Sequence, residues 1–418
     1  HPADVDEDSD GLTNMQEYYL HFDPTQYDSG KVGHYVINSR TGDVFQSIAQ
    51  AIEAAQNNDT LVLSPGLYLE NIVISGKVLT LQGEDQIGTV IYPSSSTVDA
   101  VVLQTASTLS NLTVQGGRYG VYCSNPTGTA KVDGCIIKNA ITYGVYGNNS
   151  NIEIKRSIVR DNLSEGVILE NSVGSLVNCL IHHNGSIGVQ LTNSNTTNIL
   201  NCTIVYHSGY GVKGAYNQVT NCIIRNNVTN DLDTSGNIAY SCLQTTHTGN
   251  GNIVDDPIFV DVSSYNYQLS PVSPCIDAGN NTLVTYDMDL VGSPRRMEDP
   301  ENSNSGGPIN NAPYVDMGAY ELAGYVPFHG NVQICAVGNK HSLILDSTSK
   351  VWACGYNAYS QLGIGTSRGY KYQNYLVASS HGMMDTASGC LENITWIDAG
   401  RWHNLAVDSI GNVWSWGE

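Results

Sequence analysis

Short apolar segments separated by turn residues fill the middle of the chain and predict β-strands. Between residues 100 and 245 the apolar residues, many of them β-branched, form runs of three to five, with glycine or asparagine between the runs. Runs of this length are typical of strands and too short for helices. A column of small side chains recurs through them at steps of 22, 22, 23, 20 and 20 residues: Cys135, Ser157, Cys179, Cys202, Cys222 and Cys242.

A second column repeats with the same period. Its steps are 24, 22, 22 and 23 residues, and its members are Val121, Val145, Val167, Val189 and Val212. Three short strands in every repeat predict a parallel β-helix, in which successive rungs stack about 4.8 Å apart. The sequence therefore predicts an all-β protein built mainly from this solenoid.

The interior and the first rung can also be predicted. We expect the cysteine column to point inward as a stack of small apolar side chains, and disulfides between adjacent rungs remain an alternative. Asn178, Asn201 and Asn221 each precede a cysteine and predict an asparagine ladder at a turn. The segment 45–55 is apolar at helical spacing, so we expect a helix there that caps the open edge of the first rung.

Strand alternation turns one basic column outward, toward the surface. With the cysteines facing inward, the residues three positions later face outward, and they are Lys138, Arg160, His182, Val205 and Arg225. Such a column can bind an anionic glycan, or it can consist of ordinary solvated side chains. Tyr122 and Tyr146, with Tyr119, Tyr143 and Tyr210 nearby, can stack on sugar rings or pack against one another.

The same alternation turns an apolar stripe outward. Its members are Ile136, Ile158, Leu180, Thr203 and Ile223. A long exposed apolar stripe is unfavourable in water, so we expect a cover for it. The closing segment, the C-terminal domain or another subunit can supply that cover, and the last of these implies a homo-oligomer or a filament.

The charge balance limits the classes of partner that the protein can bind. Charged residues make up 14% of the chain, with 39 acidic and 18 basic side chains and a net charge of −21. This balance excludes nucleic acid and anionic membrane surfaces as natural partners, and no apolar stretch reaches the roughly 20 residues of a membrane span. The net charge is −8 in residues 1–28 and −9 in 255–322, but only −3 in 29–254, so the solenoid is nearly neutral.

The acidic N-terminal segment matches a calcium-binding loop. From Asp6 the sequence DEDSDGLTNMQE follows the D-x-[DN]-x-[DN]-G-x5-E pattern. It predicts a Ca²⁺ site with side-chain ligands and one backbone carbonyl, from Asp6, Asp8, Asp10, Leu12, Asn14 and Glu17. The segment resembles the dockerin-like and thrombospondin type 3-like modules of secreted proteins, which implies a rigid linker. An acidic disordered tail is the alternative.

Residues 34–322 resemble right-handed parallel β-helix proteins of the pectin lyase-like superfamily. The opening segment DTLVLSPGLYLENIVISGKVLTLQGE carries this resemblance, as do the closing segments DDPIFVD, YQLSPVSPCIDAGN, SPRR and DMGAYE. The resemblance implies one of two catalytic patterns: the lyases of that superfamily hold calcium in a carboxylate cluster and use an Arg or Lys base, and its hydrolases use Asp clusters with His-Gly and Arg-x-Lys motifs. The sequence shows neither complete pattern. The catalytic candidates that remain are Arg160 with a neighbouring acid, Asp161 or Glu165.

The C-terminal segment resembles RCC1-type propeller repeats. Two partial copies align His341 with His403 and Trp352 with Trp414. The resemblance implies a partial β-propeller, because a closed propeller needs several more blades. Both histidines are interpreted as structural.

Four segments follow from these patterns: a calcium-binding linker in residues 1–33, the capped β-helix in 34–254, its closing segment in 255–322, and RCC1-like repeats in 323–418. We expect a secreted, extracellular or cell-surface protein, a non-catalytic structural or adhesive stalk that binds a polysaccharide or a surface protein. A calcium-dependent polysaccharide lyase of the pectate lyase-like type is the alternative.

Overall fold

The computed structural model describes residues 34–417, apart from 195, 234–235, 271, 285–287, 294, 296–314, 323–331, 348, 350, 357–358, 364–372 and 379–392. The chain divides into two compact units, residues 1–255 and 256–418. No helix in the described part is long and apolar enough to cross a membrane.

The first unit is a parallel β-solenoid with three sheets, and each complete rung contributes one strand to each sheet. Sheet A also contains two antiparallel strands at its start, Val36–Asn38 and Val44–Phe45. Sheet A contains, in chain order, Val36–Asn38, Val44–Phe45, Thr60–Leu63, Thr80–Gly83, Thr108–Ser110, Thr129–Asp133, Asn151–Lys155, Val173–Val177, Asn198–Leu200, Gln218–Thr220 and Asn237–Ala239. Sheet B contains Gly66–Leu69, Thr89–Tyr92, Thr113–Gln115, Ile136–Lys138, Ile158–Arg160, Leu180–His182, Thr203–Val205, Ile223–Arg225 and Cys242–Leu243. Sheet C contains Ile72–Ile74, Val101–Thr105, Tyr119–Thr127, Tyr143–Asn148, Val167–Glu170, Val189–Thr192, Tyr210–Lys213 and Asn230–Leu232.

The two columns found in the sequence define the register of these sheets. The valine column pairs residue by residue from Val121 to Val212 in sheet C, and it is fully buried. The cysteine column also points inward, since Cys135, Cys179 and Cys202 are fully buried. Both predictions are confirmed, and they place one continuous apolar core inside the solenoid.

The last member of the cysteine column differs from the prediction. In the final rung Cys242 pairs with Ile223, one position beyond the column. Ser241 takes the column position instead, and its hydroxyl accepts the backbone N–H of Cys222 at 3.1 Å. The expected step of 20 residues is therefore wrong, because the last rung is one residue shorter and a serine replaces the thiol.

The thiols of this column are buried and reduced. The nine cysteines in the described part of the chain are free, so the alternative of disulfides between rungs is not realised here. Burial raises the pKa of Cys135 to about 12 and that of Cys179 well above its usual value. Since the thiolate is the reactive form, these side chains serve as packing groups.

Asparagine ladders support two of the turns. Asn178, Asn201 and Asn221 are buried in the left-handed region, with φ of 55, 51 and 55°, which confirms the predicted ladder. A second ladder, here called the inner ladder, was not predicted from the sequence and lies inside the turn between sheets B and C: Asn162, Asn184, His207 and Asn227. In each step the backbone N–H of one rung donates to the side chain of the next rung, at 3.1 Å.

A short helix covers the first rung. It spans Ile48–Ala54, begins after the N-cap Ser47 and buries Ile48 and Ala51. The Glu70 carboxylate accepts the first backbone N–H groups, and the Lys77 ammonium donates to three carbonyls at the C-terminal end. The predicted capping helix is thus confirmed, with a later start because Phe45 belongs to a strand.

The second unit contains a closing hairpin and two antiparallel sheets. The hairpin strands are Phe259–Asp261 and Asn266–Leu269, with 3-10 helices at Val262–Ser264 and Asn281–Leu283. The first antiparallel sheet consists of Val332–Val337, His341–Asp346, Val351–Gly355 and Gln373–Ala378. The second consists of Ile394–Ala399, His403–Asp408 and Val413–Gly417.

Candidate functional site

The basic column forms along the C-terminal ends of the sheet B strands. Lys138 pairs with Arg160, and Arg160 pairs with His182. Val205 and Arg225 continue the same register in the next two rungs. The five positions therefore form one column, as the alternation predicts.

The expectation that His182 faces solvent is wrong. Its side chain points outward from the sheet but is only 1% exposed. Burial, and secondarily the Arg160 guanidinium, lower the pKa of His182 to about 2, so the ring is neutral. Its Nδ1 lies 3.0 Å from Nδ1 of His183. His182 is thus a buried support for the column rather than a glycan ligand.

The apolar stripe beside it is largely covered. Leu180, Thr203 and Ile223 are at most 2% exposed within this single chain, whereas Ile136 and Ile158 are half-buried. The stripe is therefore covered over the later rungs, as expected, and only partly covered over the two earlier ones.

Arg225 has a structural role instead of the predicted ligand role. Its Nη1 donates to the carbonyls of Leu243, Val254 and Asp255, at 3.0, 2.7 and 2.6 Å. These bonds fasten the chain that leaves the last rung. Because backbone oxygens hold the guanidinium, we exclude Arg225 from the candidate glycan-binding surface.

Lys138 and Arg160 form the accessible part of the column, and together with the adjacent Asp161 they are here called the cation cluster. All three are half-buried, and the Arg160 guanidinium forms an ion pair with Asp161. Burial, followed by repulsion from Arg160, lowers the pKa of Lys138 to about 8, and Asp161 partly opposes this shift. Lys138 is therefore a cation at neutral pH and loses its charge in mildly alkaline solution.

Glu165, the other predicted acid, lies on the far side of the next turn. Its carboxylate accepts a 2.6 Å hydrogen bond from the Ser164 hydroxyl, and its charge raises the pKa of Tyr143, after burial. The structure thus assigns Asp161 to Arg160 by direct contact and places Glu165 beside the tyrosines.

A polar turn column, which was not predicted from the sequence, runs beside the basic column and shares Asp161 with the cation cluster. Its residues directly follow the basic column, and each has φ between 52 and 60°: Asn139, Asp161, His183, Tyr206 and Asn226. The rings of His183 and Tyr206 stack at 5.4 Å, and the Asn226 amide donates to the Tyr206 hydroxyl at 2.9 Å. Their position directly after each member of the basic column was the available signal.

Four tyrosines pack together on the outer face of sheet C. Tyr119 stacks on Tyr143 and Tyr122 on Tyr146, with ring centroids 5.1 and 5.2 Å apart. The Tyr146 hydroxyl donates to Glu170 at 2.7 Å. Mutual packing, one of the two expected roles, therefore applies, and the half-buried rings leave their edges at the surface. Tyr210 lies three rungs beyond Tyr143 and is not part of this cluster.

The predicted calcium ligands, residues 6–17, lie outside the described residues. Among the residues that are described, no group of three or more His, Cys, Asp or Glu side chains is arranged to hold a metal ion.

Comparisons with known proteins agree with this architecture. The family described as right handed beta helix region matches residues 99–259, and the RCC1 repeat family matches residues 332–361. None of the curated proteins matches the chain.

Solved structures similar to the chain include the pectate lyase Pel9A, which is 14% identical over 66% of this chain and 90% of that one, with a TM-score of 0.45. The A-module of the Azotobacter vinelandii mannuronan C-5 epimerase AlgE6 is 14% identical over 48% of this chain and 69% of that one, with a TM-score of 0.36. Yeast RCC1 (Prp20), solved with Kap60, is 18% identical over 31% of this chain and 26% of that one, with a TM-score of 0.17. The chain is thus an all-β protein with a parallel β-solenoid of about eight turns, of which residues 99–259 match the right handed beta helix region, and with an RCC1 repeat match at residues 332–361.

Proposed function

We propose that the solenoid binds an anionic polysaccharide at the cation cluster, as part of a non-catalytic extracellular or cell-surface protein. The observation that carries this proposal is the adjacency of Lys138 and Arg160 on neighbouring rungs of a solenoid whose residues 29–254 carry a net charge of only −3. With Asp161 paired to Arg160, the cluster still contains two cations and only one carboxylate. This local excess of positive charge attracts carboxylate or sulfate groups on a solenoid that has no general positive field.

The geometry suits a linear chain of sugars. A polysaccharide that lies along the solenoid axis passes one rung about every 4.8 Å. Its successive acidic groups can therefore bind Lys138 on one rung and Arg160 on the next. Arginine can hold a carboxylate through two parallel hydrogen bonds, whereas lysine acts as a point charge. The polar turn column on one side and the tyrosine edges beyond the next turn offer hydroxyl and amide partners for the sugar hydroxyls.

A panel of oligosaccharides tests this proposal. We expect the full chain to bind oligogalacturonate, alginate oligomers or chondroitin sulfate in calorimetry, and to bind a neutral cello-oligosaccharide at least tenfold more weakly. Added salt should weaken the binding of the acidic ligands, because charge screening acts on exposed ion pairs. Equal affinity for the neutral and acidic ligands, or no affinity for either, would contradict the assignment.

A polysaccharide lyase is the second candidate, and the depressed pKa of Lys138 favours it. An amine with a pKa of about 8 can serve as a general base near neutral pH, and Arg160 beside it can stabilise the anion that forms. The same oligouronates provide the test. The non-catalytic proposal expects no rise in the ultraviolet absorbance of unsaturated product, and a rise that Lys138→Gln abolishes would establish the lyase instead.

We also propose that residues 6–17 bind one Ca²⁺ as a linker module, on the strength of their match to the twelve-residue loop pattern. Calorimetric titration of the full chain with CaCl₂ should give a binding heat that Asp6→Ala with Asp8→Ala removes. Asp28→Ala serves as the control, since this acid lies outside the loop. An unchanged heat in the double variant would show that the calcium binds elsewhere.

A further inference from the structure

The turn between sheets B and C carries exposed aliphatic side chains beside the cation cluster. Ile141 and Leu163, here called the apolar pair, lie three residues after Lys138 and Arg160. Their exposed fractions are 42% and 72%. The Leu163 N–H donates to the Ala140 carbonyl at 2.9 Å, which holds the two turns in adjacent rungs. The apolar pair and the two cations therefore belong to the same two rungs.

Aliphatic residues accompany the cations from rung to rung. The turn column that contains the apolar pair continues through Gly185, Ser208 and Val228. Where the basic column holds the neutral His182 or Val205, this turn position is glycine or serine. Where the basic column holds Arg225, the turn position is Val228, which is 80% exposed. A single exposed aliphatic side chain needs no explanation, whereas its recurrence beside each cation of the column does.

We propose that the apolar pair binds the short acyl esters of the acidic polysaccharide that the cation cluster holds, so that the preferred ligand is an O-acylated polyuronate. This inference rests on the proposed function and names the ligand class of the same site. The two cations and one carboxylate of the cluster attract the acid groups, and the exposed methyl groups of the pair supply a second contact. Three residues span at most about 11 Å, so a sugar whose carboxylate contacts Arg160 can place an ester methyl group against Leu163.

The size of the apolar pair favours a glycan substituent over a protein partner. The pair spans two rungs, about 5 Å along the solenoid axis. A stable protein–protein interface buries about 800 Å² on each partner, far more than two side chains provide. An acetyl methyl group can cover one such side chain, and its burial should strengthen binding about fourfold.

Calorimetry on the full chain with matched ligands tests the inference. Chemically O-acetylated oligogalacturonate and alginate oligomers are each compared with the same preparation after mild alkaline deacetylation, which preserves the chain length and the number of carboxylates. We expect the wild type to bind the acetylated form of at least one of them about fourfold more tightly than its deacetylated form. Ile141→Ser with Leu163→Ser should bring that ratio close to one, because serine offers no apolar contact.

Val228→Ser is the matched control. Val228 occupies the same turn column and is as exposed as the apolar pair, but the Arg225 guanidinium of its rung is held by backbone carbonyls. This variant should keep the fourfold ratio of the wild type. A ratio that survives in the double serine variant, or that Val228→Ser also removes, would show that the apolar pair is not the acyl contact.

The wild-type comparison needs no substitution, so it decides even where a variant fails to fold. Equal affinity for the acetylated and deacetylated forms of both ligands overturns this inference and leaves the proposed function standing. If neither ligand binds in either form, this inference fails, and the proposed function fails with it unless chondroitin sulfate binds.

Discussion

Replacing Asn184 by leucine is expected to lower the free energy of unfolding by about 3 to 5 kcal/mol. The Asn184 side chain is 1% exposed. Its Oδ1 accepts from the backbone N–H and from the amide of Asn162, at 3.1 and 2.8 Å, and its Nδ2 donates to the Val159 carbonyl at 3.1 Å. Leucine leaves these groups buried without partners, and each unsatisfied group costs roughly 1 to 3 kcal/mol.

Urea denaturation followed by circular dichroism measures this loss. Asn151→Leu is the matched control, because Asn151 is an exposed strand residue of the same solenoid, and we expect a change below about 0.5 kcal/mol there. A loss under about 1 kcal/mol for Asn184→Leu would show that the inner ladder contributes little to the stability of the solenoid.

Removing the two positive charges of the cation cluster is expected to weaken the binding of an acidic oligosaccharide about 30-fold. Lys138→Gln with Arg160→Gln removes two charge-assisted contacts, and a combined loss of about 2 kcal/mol corresponds to that ratio. Calorimetry with the tightest-binding oligouronate measures the change, and circular dichroism confirms that the variant is folded.

The control for this experiment changes the net charge equally at positions outside the cation cluster. Lys131→Gln with Lys340→Gln alters two exposed lysines and should leave the affinity within about twofold. If both double variants lose affinity to the same extent, the binding depends on overall charge, and the cation cluster is not the site.

Periodicity is the reason that much of the solenoid could be predicted from the sequence. Strands that pair in parallel place equivalent residues one above another, so a column such as Val121 to Val212 is visible as a constant spacing. The capping helix was also predictable, because helical spacing within segment 45–55 interrupts the strand pattern.

The features that the sequence did not reveal depend on neighbours distant in the chain. His182 has the position of a surface residue, but tertiary packing covers it. The inner ladder could not be predicted because His207 occupies one of its four positions and asparagines occupy the others. No single residue type therefore repeats along it. In the C-terminal repeats the same motif is buried at His341 and exposed at His403, because His341 packs against Asn404 of the other repeat.

The pH dependence of glycan affinity tests the proposed binding surface most directly. Lys138 faces Gln115 and Arg160 in the adjacent rungs, and Asp161 lies beside Arg160. With its pKa lowered to about 8, Lys138 is charged at about pH 7 and neutral at about pH 9.5, whereas an arginine stays protonated throughout this range. The affinity of the wild type for an oligouronate should therefore fall several-fold between these two pH values, and that of Lys138→Arg should remain constant. A flat wild-type profile, or an equal fall in the variant, would contradict binding at the cation cluster.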